Sequence, residues 1–286
     1  MLTLSFDHLR VRVDPARGAG VTAFDVDMDG QWLPIYAQAA ELPVASFLMV
    51  PWSNRVADGR FVHAGTAIQL DEPDRHAIHG LVRKRPWAIV HATTSEATLR
   101  YTWPGGAWPW PFEAEVHYWL ADHTFHSALA VTNRGDSPMP AGLGFHPYFT
   151  RGDVIIGFHV AGIYPDAHGT RIPSGPAAPL DPPRDHTIAR PLDPDTFMDF
   201  CGHGWDGVAT LRWPAAGLVV DVRSDLDHLV FYNPPQPYFA LEPVSNANDG
   251  FNLRTRGDPT HGVRVLAPGE TLRGHMALRA RVRVRG

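Results

Sequence analysis

The chain has a single cysteine, Cys201, so no intramolecular disulfide can form, and a reducing compartment is expected. It is also short of charge. Only 19% of the residues are Asp, Glu, Lys or Arg, and the formal net charge is −5. A nucleic-acid partner would need a positive surface, so that class is disfavoured. No uninterrupted apolar run is long enough to span a bilayer. The opening Met-Leu-Thr-Leu-Ser-Phe-Asp lacks the basic-then-apolar order of a secretory signal. A cytoplasmic protein with no membrane partner is the expectation. Long amphipathic helices and fixed-period repeats are missing as well.

Turn formers are abundant, with 26 glycines and 27 prolines among 286 residues. That density suits many short strands and suits a helical protein poorly. All-β folds often run to this length as one unit, so residues 1–286 are expected to form a single domain.

Strand periodicity recurs along the chain. Leu9, Val11 and Val13 alternate with Arg10 and Arg12. Residues 21–28 and 32–36 read as a hairpin about Asp29-Gly30. Further strands are predicted over 61–70, 87–92, 98–103, 114–120, 125–132, 208–213, 218–222 and 229–232. The Pro- and Asp-rich stretch 164–195 reads as a long loop. At the end, Arg279, Arg281, Arg283 and Arg285 alternate with apolar residues, as in a terminal strand whose charged outer face discourages edge pairing. The predicted fold class is all-β, a large antiparallel β-sandwich.

Two apolar stretches carry titratable groups. In Ala-Gly-Leu-Gly-Phe-His-Pro-Tyr-Phe, Pro147 holds His146 in extended backbone, so the segment delivers one imidazole from the end of a buried strand. A core histidine satisfied by a carbonyl is the plainer alternative. In Phe239-Ala240-Leu241-Glu242-Pro243, Glu242 ends an apolar strand. Buried there, its pKa rises, and it becomes a competent general base near neutral pH. Asn246, Asn248 and Asn252 follow and are candidates to orient it.

Other candidates are scattered. Pro51-Trp52-Ser53-Asn54-Arg55 offers a guanidinium fork suited to two adjacent hydroxyls or a carboxylate. His76 and His79 are three apart, but extended backbone points them to opposite faces, and no Cys or carboxylate cluster supports a metal. Metal ligands are therefore none in this reading, and His79-Gly80 is kept as a single useful imidazole. Arg83, Lys84 and Arg85 are either a surface run or an anion site. Trp103, Trp108 and Trp110 either stack on a sugar or pack beneath a loop. Asp199, between apolar neighbours, is a candidate for a pointed carboxylate, and Asp206-Gly207 looks like a turn.

Taken in order, these segments resemble the aldose 1-epimerase (mutarotase) family. Asn54-Arg55 with Gly59 and Phe61 is similar to its Asn-Arg motif. Ala77-Ile78-His79-Gly80 with Trp87 is similar to its Leu-His-Gly motif. Asn133, Met139-Pro140 and Gly144-Phe145-His146-Pro147-Tyr148-Phe149 resemble its His-Pro-Tyr-Phe strand, and Leu241-Glu242-Pro243 its glutamate motif. The likeness runs over residues 4–278. Ile78 replaces the motif's leucine, Leu81 stands where some members have a second glycine, and the aspartate motif around Asp199 is blurred.

The resemblance implies a galactose mutarotase-like β-supersandwich with no cofactor, acting on a monosaccharide as a monomer or homodimer. It implies Glu242 as base and His146 as acid. Asn54, Arg55 and His79 would bind sugar oxygens, and Asp199, or alternatively Asp206, would hold a hydroxyl. Three other readings stay open. One is a hexose-6-phosphate 1-epimerase that uses Arg83, Lys84 and Arg85. The second is a non-catalytic sugar-binding β-sandwich. The third is a glycoside hydrolase pairing Glu242 with Asp199.

Overall fold

The computed structural model describes residues 1–71 and 75–282. Among them, two large antiparallel sheets face one another. The first contains, in spatial order, Leu2–Phe6, Leu9–Asp14, Gly20–Met28, Ser46–Met49, Gly144–Thr150, Tyr238–Val244, His228–Asn233, Met198–His203 and Gly162–Ile163. Gln31–Pro34 is added beside Gly20–Met28. The second runs Ala88–Ala92, Glu96–Trp103, Phe112–Ala121, Thr124–Asn133, Thr271–Val282, Leu218–Ser224, Val208–Trp213, Ile155–Phe158 and Arg190–Pro191. Helix is limited to Gly250–Thr255 and two 3-10 turns among the described residues.

The second sheet shows why the chain folds this way. Phe112–Ala121 alternates buried and half-buried residues without a break, so one face packs inward and the other meets solvent. The inward side chains of this sheet, among them Phe112, Val116, Tyr118 and Leu278, join a continuous core with Phe24, Phe145, Phe149, Phe231, Phe239 and Leu241 of the first sheet.

The central strands of the first sheet are buried on both faces. Tyr238–Val244 is buried at every position. Its odd positions, Phe239 and Leu241, face the second sheet. Its even positions face outward into a second, smaller cluster under loops, where Phe47, Met49, Cys201, Val230 and Val244 lie. Loops thus cover this outer face, and the polar residues along it sit at the bottom of a recess.

Two expectations are revised. The segment 61–70 is not one strand but a hairpin, Arg60–His63 with Thr66–Gln69, turning at Ala64 and Gly65, both with positive φ. Thr271–Val282 is not an edge strand; it pairs on both sides, with Thr124–Asn133 and with Leu218–Ser224. Its arginines are tolerated because the outer face is open to solvent, and Arg281 pairs there with Asp221 at 2.6 Å. Arg283 and Arg285 lie outside the described residues. The stretch 164–195 is a long connection, as its composition suggests, and part of it folds over the recess.

Candidate active site

Strand register builds the floor of the recess. Gly144 pairs with Val244 and Tyr148 with Ala240, which sets His146 directly opposite Glu242. On its other side His146 pairs with Phe47. Asp199 pairs with Tyr232, and Tyr232 with Ala240. Side chains on one face recur every second residue, so Tyr148, Tyr232 and Asp199 form a row beside His146 and Glu242.

Loops supply the walls. Arg55–Val56 pairs with Ala77–Ile78, and the backbone N–H of His79 donates to the carbonyl of Asn54 at 2.8 Å. This brings two separate motifs side by side. Gly80 makes the crossing possible: its φ is +65°, and a Cβ there would lie 2.1 Å from the Val50 carbonyl oxygen. Asp249 secures the same loop from behind. Its backbone N–H donates to the Arg55 carbonyl at 2.7 Å, and its Oδ1 accepts from the Ala57 N–H at 2.9 Å.

The result is a cavity of about 370 Å³ lined by Asn54, Arg55, His79, His146, Tyr148, Gly169, Thr170, Arg171, Phe197, Asp199, Tyr232 and Glu242. Asn54, Arg55, His79, His146, Asp199 and Glu242, the six residues singled out in the sequence, therefore meet in one place. Asp206 does not join them; its carboxylate accepts the Val208 N–H within a turn.

At the centre, His146 Nε2 lies 3.1 Å from Glu242 Oε1, with both side chains at most 5% exposed. Phe47 stacks on the His146 ring at 4.3 Å, and His79 stands edge-on to it at 5.1 Å. Burial pushes the Glu242 carboxyl well above its ordinary value; the Asp199 charge adds to this, and Arg55 opposes it. Burial likewise lowers His146 to about 3. Both shifts favour the uncharged form, so the pair rests as one carboxylic acid and one neutral imidazole sharing a proton. Burial also drives His79 below its usual range, leaving a neutral ring. Glu242 Oε2 and His79 Nδ1 are buried and have no hydrogen-bond partner among the described residues. Such atoms cost free energy unless a ligand satisfies them.

Around this pair the charges are arranged less symmetrically. Arg171 Nε binds Asp199 Oδ2 at 2.6 Å, and its Nη1 binds Asp166 Oδ2 at 3.0 Å. Arg55 is held by Asn54 Oδ1 at 3.1 Å and makes no ion pair within 4 Å among the described residues. Burial lowers its pKa while Asp199 raises it.

Several sequence candidates have other roles. Asn246, Asn248 and Asn252 do not touch Glu242. Asn246 takes the Ser53 N–H, Asn252 holds Asp249 and Asn248 holds the Arg171 carbonyl, so all three fix the walls. His76 turns away to accept the Asp58 N–H. Trp108 packs in the core against Trp52 and Phe61, away from the cavity. Lys84 and Arg85 are exposed, whereas Arg83 stands over the Phe47 ring at 5.5 Å.

The residues that sequence reasoning missed are Tyr148, Gly169, Thr170, Arg171, Phe197 and Tyr232. Tyr148 was legible in principle, two residues after His146 on the same strand. Arg171 gave no local signal.

The aldose 1-epimerase family profile matches residues 1–279. The chain belongs to this family. An uncharacterised Escherichia coli (strain K12) protein, YphB, is 27% identical over 291 residues and 97% of both chains. Another from the same strain, YihR, is 34% identical over 140 residues, 46% of this chain and 45% of its own. A galactose mutarotase-like protein from Lactobacillus casei superimposes with a TM-score of 0.82 at 16% identity, covering 98% of this chain and 100% of that one. A GalM/aldose epimerase homologue from C. elegans gives 0.83 at 14% identity over 99% of each. The fold is therefore the galactose mutarotase-like β-sandwich. No helix among the described residues is long and apolar enough to cross a membrane.

Proposed function

We propose that this aldose 1-epimerase family member is a mutarotase, interconverting the α and β anomers of an aldose. The observation that carries the reading is the buried His146–Glu242 pair, 3.1 Å apart, on the floor of a cavity walled by hydrogen-bond donors.

Anomerisation needs one proton taken from the anomeric hydroxyl and one given to the ring oxygen. Glu242 takes the first, and the C1–O1 bond becomes a carbonyl as the bond from C1 to the ring oxygen breaks. The ring oxygen leaves with that electron pair and takes a proton from His146. The carbonyl then rotates about C1–C2. Closure on its other face returns the ring-oxygen hydroxyl proton to His146, while the new anomeric oxygen recovers its proton from Glu242. Atoms and charge balance, and no outside proton donor is consumed.

The reaction requires the form with the proton on His146 and none on Glu242. That form differs from the resting pair only by transfer of one proton along the 3.1 Å contact. The Arg55 cation, which opposes the rise of the Glu242 pKa, favours it. Arg55, Asn54 and neutral His79 donate to sugar oxygens, and Asp199, braced by Arg171, accepts from a hydroxyl. Phe197, Tyr148 and Tyr232 supply ring faces and edges for the apolar side of the sugar.

Freshly dissolved α-D-glucose and α-D-galactose, followed by polarimetry in weak buffer, test this. Relaxation should speed up in proportion to protein. A hexose 6-phosphate is the second reading, favoured by Arg55 and Arg171 in the cavity wall and by Arg83 beside Phe47. Competition by glucose 6-phosphate but not by glucose supports it. Silence with all these sugars, alongside measurable sugar binding, points to a binding protein and sinks the mutarotase assignment.

A further inference from the structure

Two tight turns, one from each sheet, meet at the surface away from the sugar cavity. The first is Asp7-His8, a two-residue loop between strands whose last pair is Phe6 with Leu9. The second is Asp122-His123, a two-residue loop closed by Ala121 with Thr124. Both residues of the second loop have positive φ, 47° and 61°, as a mirror-image hairpin turn demands. Backbone bonds fix the two histidines: the His8 carbonyl accepts from the Asp27 N–H at 2.8 Å, and the His123 carbonyl from the Ala280 N–H at 3.0 Å.

These turns converge on one atom. His8 Nδ1 and His123 Nδ1 each lie 3.0 Å from Asp7 Oδ2. The three atoms all fall within 4.8 Å of one another. We propose that Asp7, His8 and His123 form a binding site for a borderline divalent cation, of the Zn²⁺ or Ni²⁺ class, that ties the two sheets together.

The geometry fits such an ion. Zinc–ligand bonds of about 2.0–2.2 Å hold neighbouring donors roughly 3.0–3.5 Å apart, whether angles are octahedral or tetrahedral. The two 3.0 Å separations from Asp7 Oδ2 match, and the two imidazole nitrogens lie within 4.8 Å of each other. Two imidazoles with one carboxylate select borderline metals over Mg²⁺ and Ca²⁺, which prefer sets made of oxygen. The Asp7 and His123 side chains are each 51% exposed, so the outer positions stay open to water. The His8 Nδ1–H donates to Asp7 Oδ2 at 3.0 Å, and His123 Nδ1 lies 3.0 Å from the same oxygen; a cation takes up the two Nδ1 lone pairs in place of these contacts, with each neutral ring carrying its proton on Nε2. Arg281, near the same hollow, has its charge taken up by Asp221 at 2.6 Å. None of the three ligands lines the sugar cavity.

The test is isothermal titration of tag-free, EDTA-stripped full chain with ZnCl₂ and NiCl₂, with thermal unfolding alongside. The expected result is one site of micromolar affinity and a midpoint rise of about 5 °C at saturation. The double variant His8→Gln/His123→Gln should lose both effects and keep sugar turnover, because these side chains sit in surface turns. A control variant, His126→Gln, removes one of two other histidines whose ring nitrogens are 3.2 Å apart, and should leave binding unchanged. The proposal is overturned if wild type binds neither ion, if the double variant still binds, or if His126→Gln abolishes the site.

Discussion

Replacing Glu242 by Gln changes the proposed chemistry while preserving the shape of the site. Glutamine has the same length, and its amide still donates to His146 Nε2 across the 3.1 Å contact. The strand is held by backbone pairing with both neighbours, which the substitution leaves untouched. What disappears is the group that takes the anomeric proton. A correctly placed acid or base contributes about 10²–10⁴ in rate, or roughly 3–5 kcal/mol of barrier. Polarimetry should therefore show kcat lower by that factor. Binding of a 1-deoxy sugar, which has no anomeric hydroxyl to react, should stay within about threefold of wild type. The same variant has a stability signature. The folded Glu242 carboxyl titrates well above its unfolded value, so its contribution is complete below the unfolded value and is lost as pH rises through the folded one. Gln does not titrate, so Glu242→Gln should resist alkaline unfolding better than wild type. Near wild-type turnover would remove Glu242 from proton transfer. Loss of turnover together with analogue binding and a lowered unfolding midpoint would make its role structural.

Further outcomes follow from the same geometry. The working pair carries one proton. The second adds at His146, lowered to about 3, and the first is lost at a carboxyl raised well above its usual range. Plotted against pH, kcat/KM should thus not fall as pH drops through 6.5, and the decline should come on the alkaline side; an ordinary imidazole limb near 6.5 would contradict this. Arg171→Ala removes the brace on Asp199, held at 2.6 Å, and should raise KM about tenfold (~1.4 kcal/mol) with a smaller change in kcat; an unchanged KM would take Asp199 out of sugar binding. Buried His186 stacks on Phe158 at 4.9 Å, and burial lowers it to about 4. A depressed value means that its contribution is complete above about 6.5 and is lost as pH falls towards 4, which amounts to about 2 kcal/mol by pH 5. His186→Phe should shrink the stability difference between pH 8 and pH 5, read by urea unfolding, by about that much; an unchanged difference would mean that His186 is hydrated in the folded state.

What could be read from the sequence is what depends on near neighbours. His146 and Glu242 each sit in an apolar strand, where a titratable group is costly and therefore conspicuous. Period two then fixes which residues share their face, so Tyr148 was within reach. Asn54-Arg55 and His79 were found as separate motifs, and nothing local showed that Arg55 pairs with Ile78 and brings them together. Arg171 was out of reach for a different reason. Its place depends on positive φ, on Asp166 gripping its backbone and side chain, and on Asn248 binding its carbonyl from a segment far along the chain. The three asparagines misled for the same cause: their proximity in sequence to Glu242 suggested that they orient it, whereas their side chains reach sideways to the loops.

That division bears on how the site is held. The acid–base pair stands on adjacent central strands whose other faces carry Phe145, Phe149, Phe239 and Leu241 in the main core. Strand register sets the backbone of His146 opposite that of Glu242, so the sheet fixes where both side chains start. The groups proposed to donate to the sugar's other oxygens, Asn54, Arg55 and His79, come from loops fastened by a few hydrogen bonds, as does Arg171, the brace on Asp199. Such loops change by substitution without disturbing the core. On the proposed mechanism, proton transfer, which tolerates little displacement, would rest on the sheet, and the choice of aldose would rest largely on the loops. On this reasoning, loop variants alter the ratio of rates for glucose and galactose and leave the pH profile in place, whereas strand variants shift the profile itself.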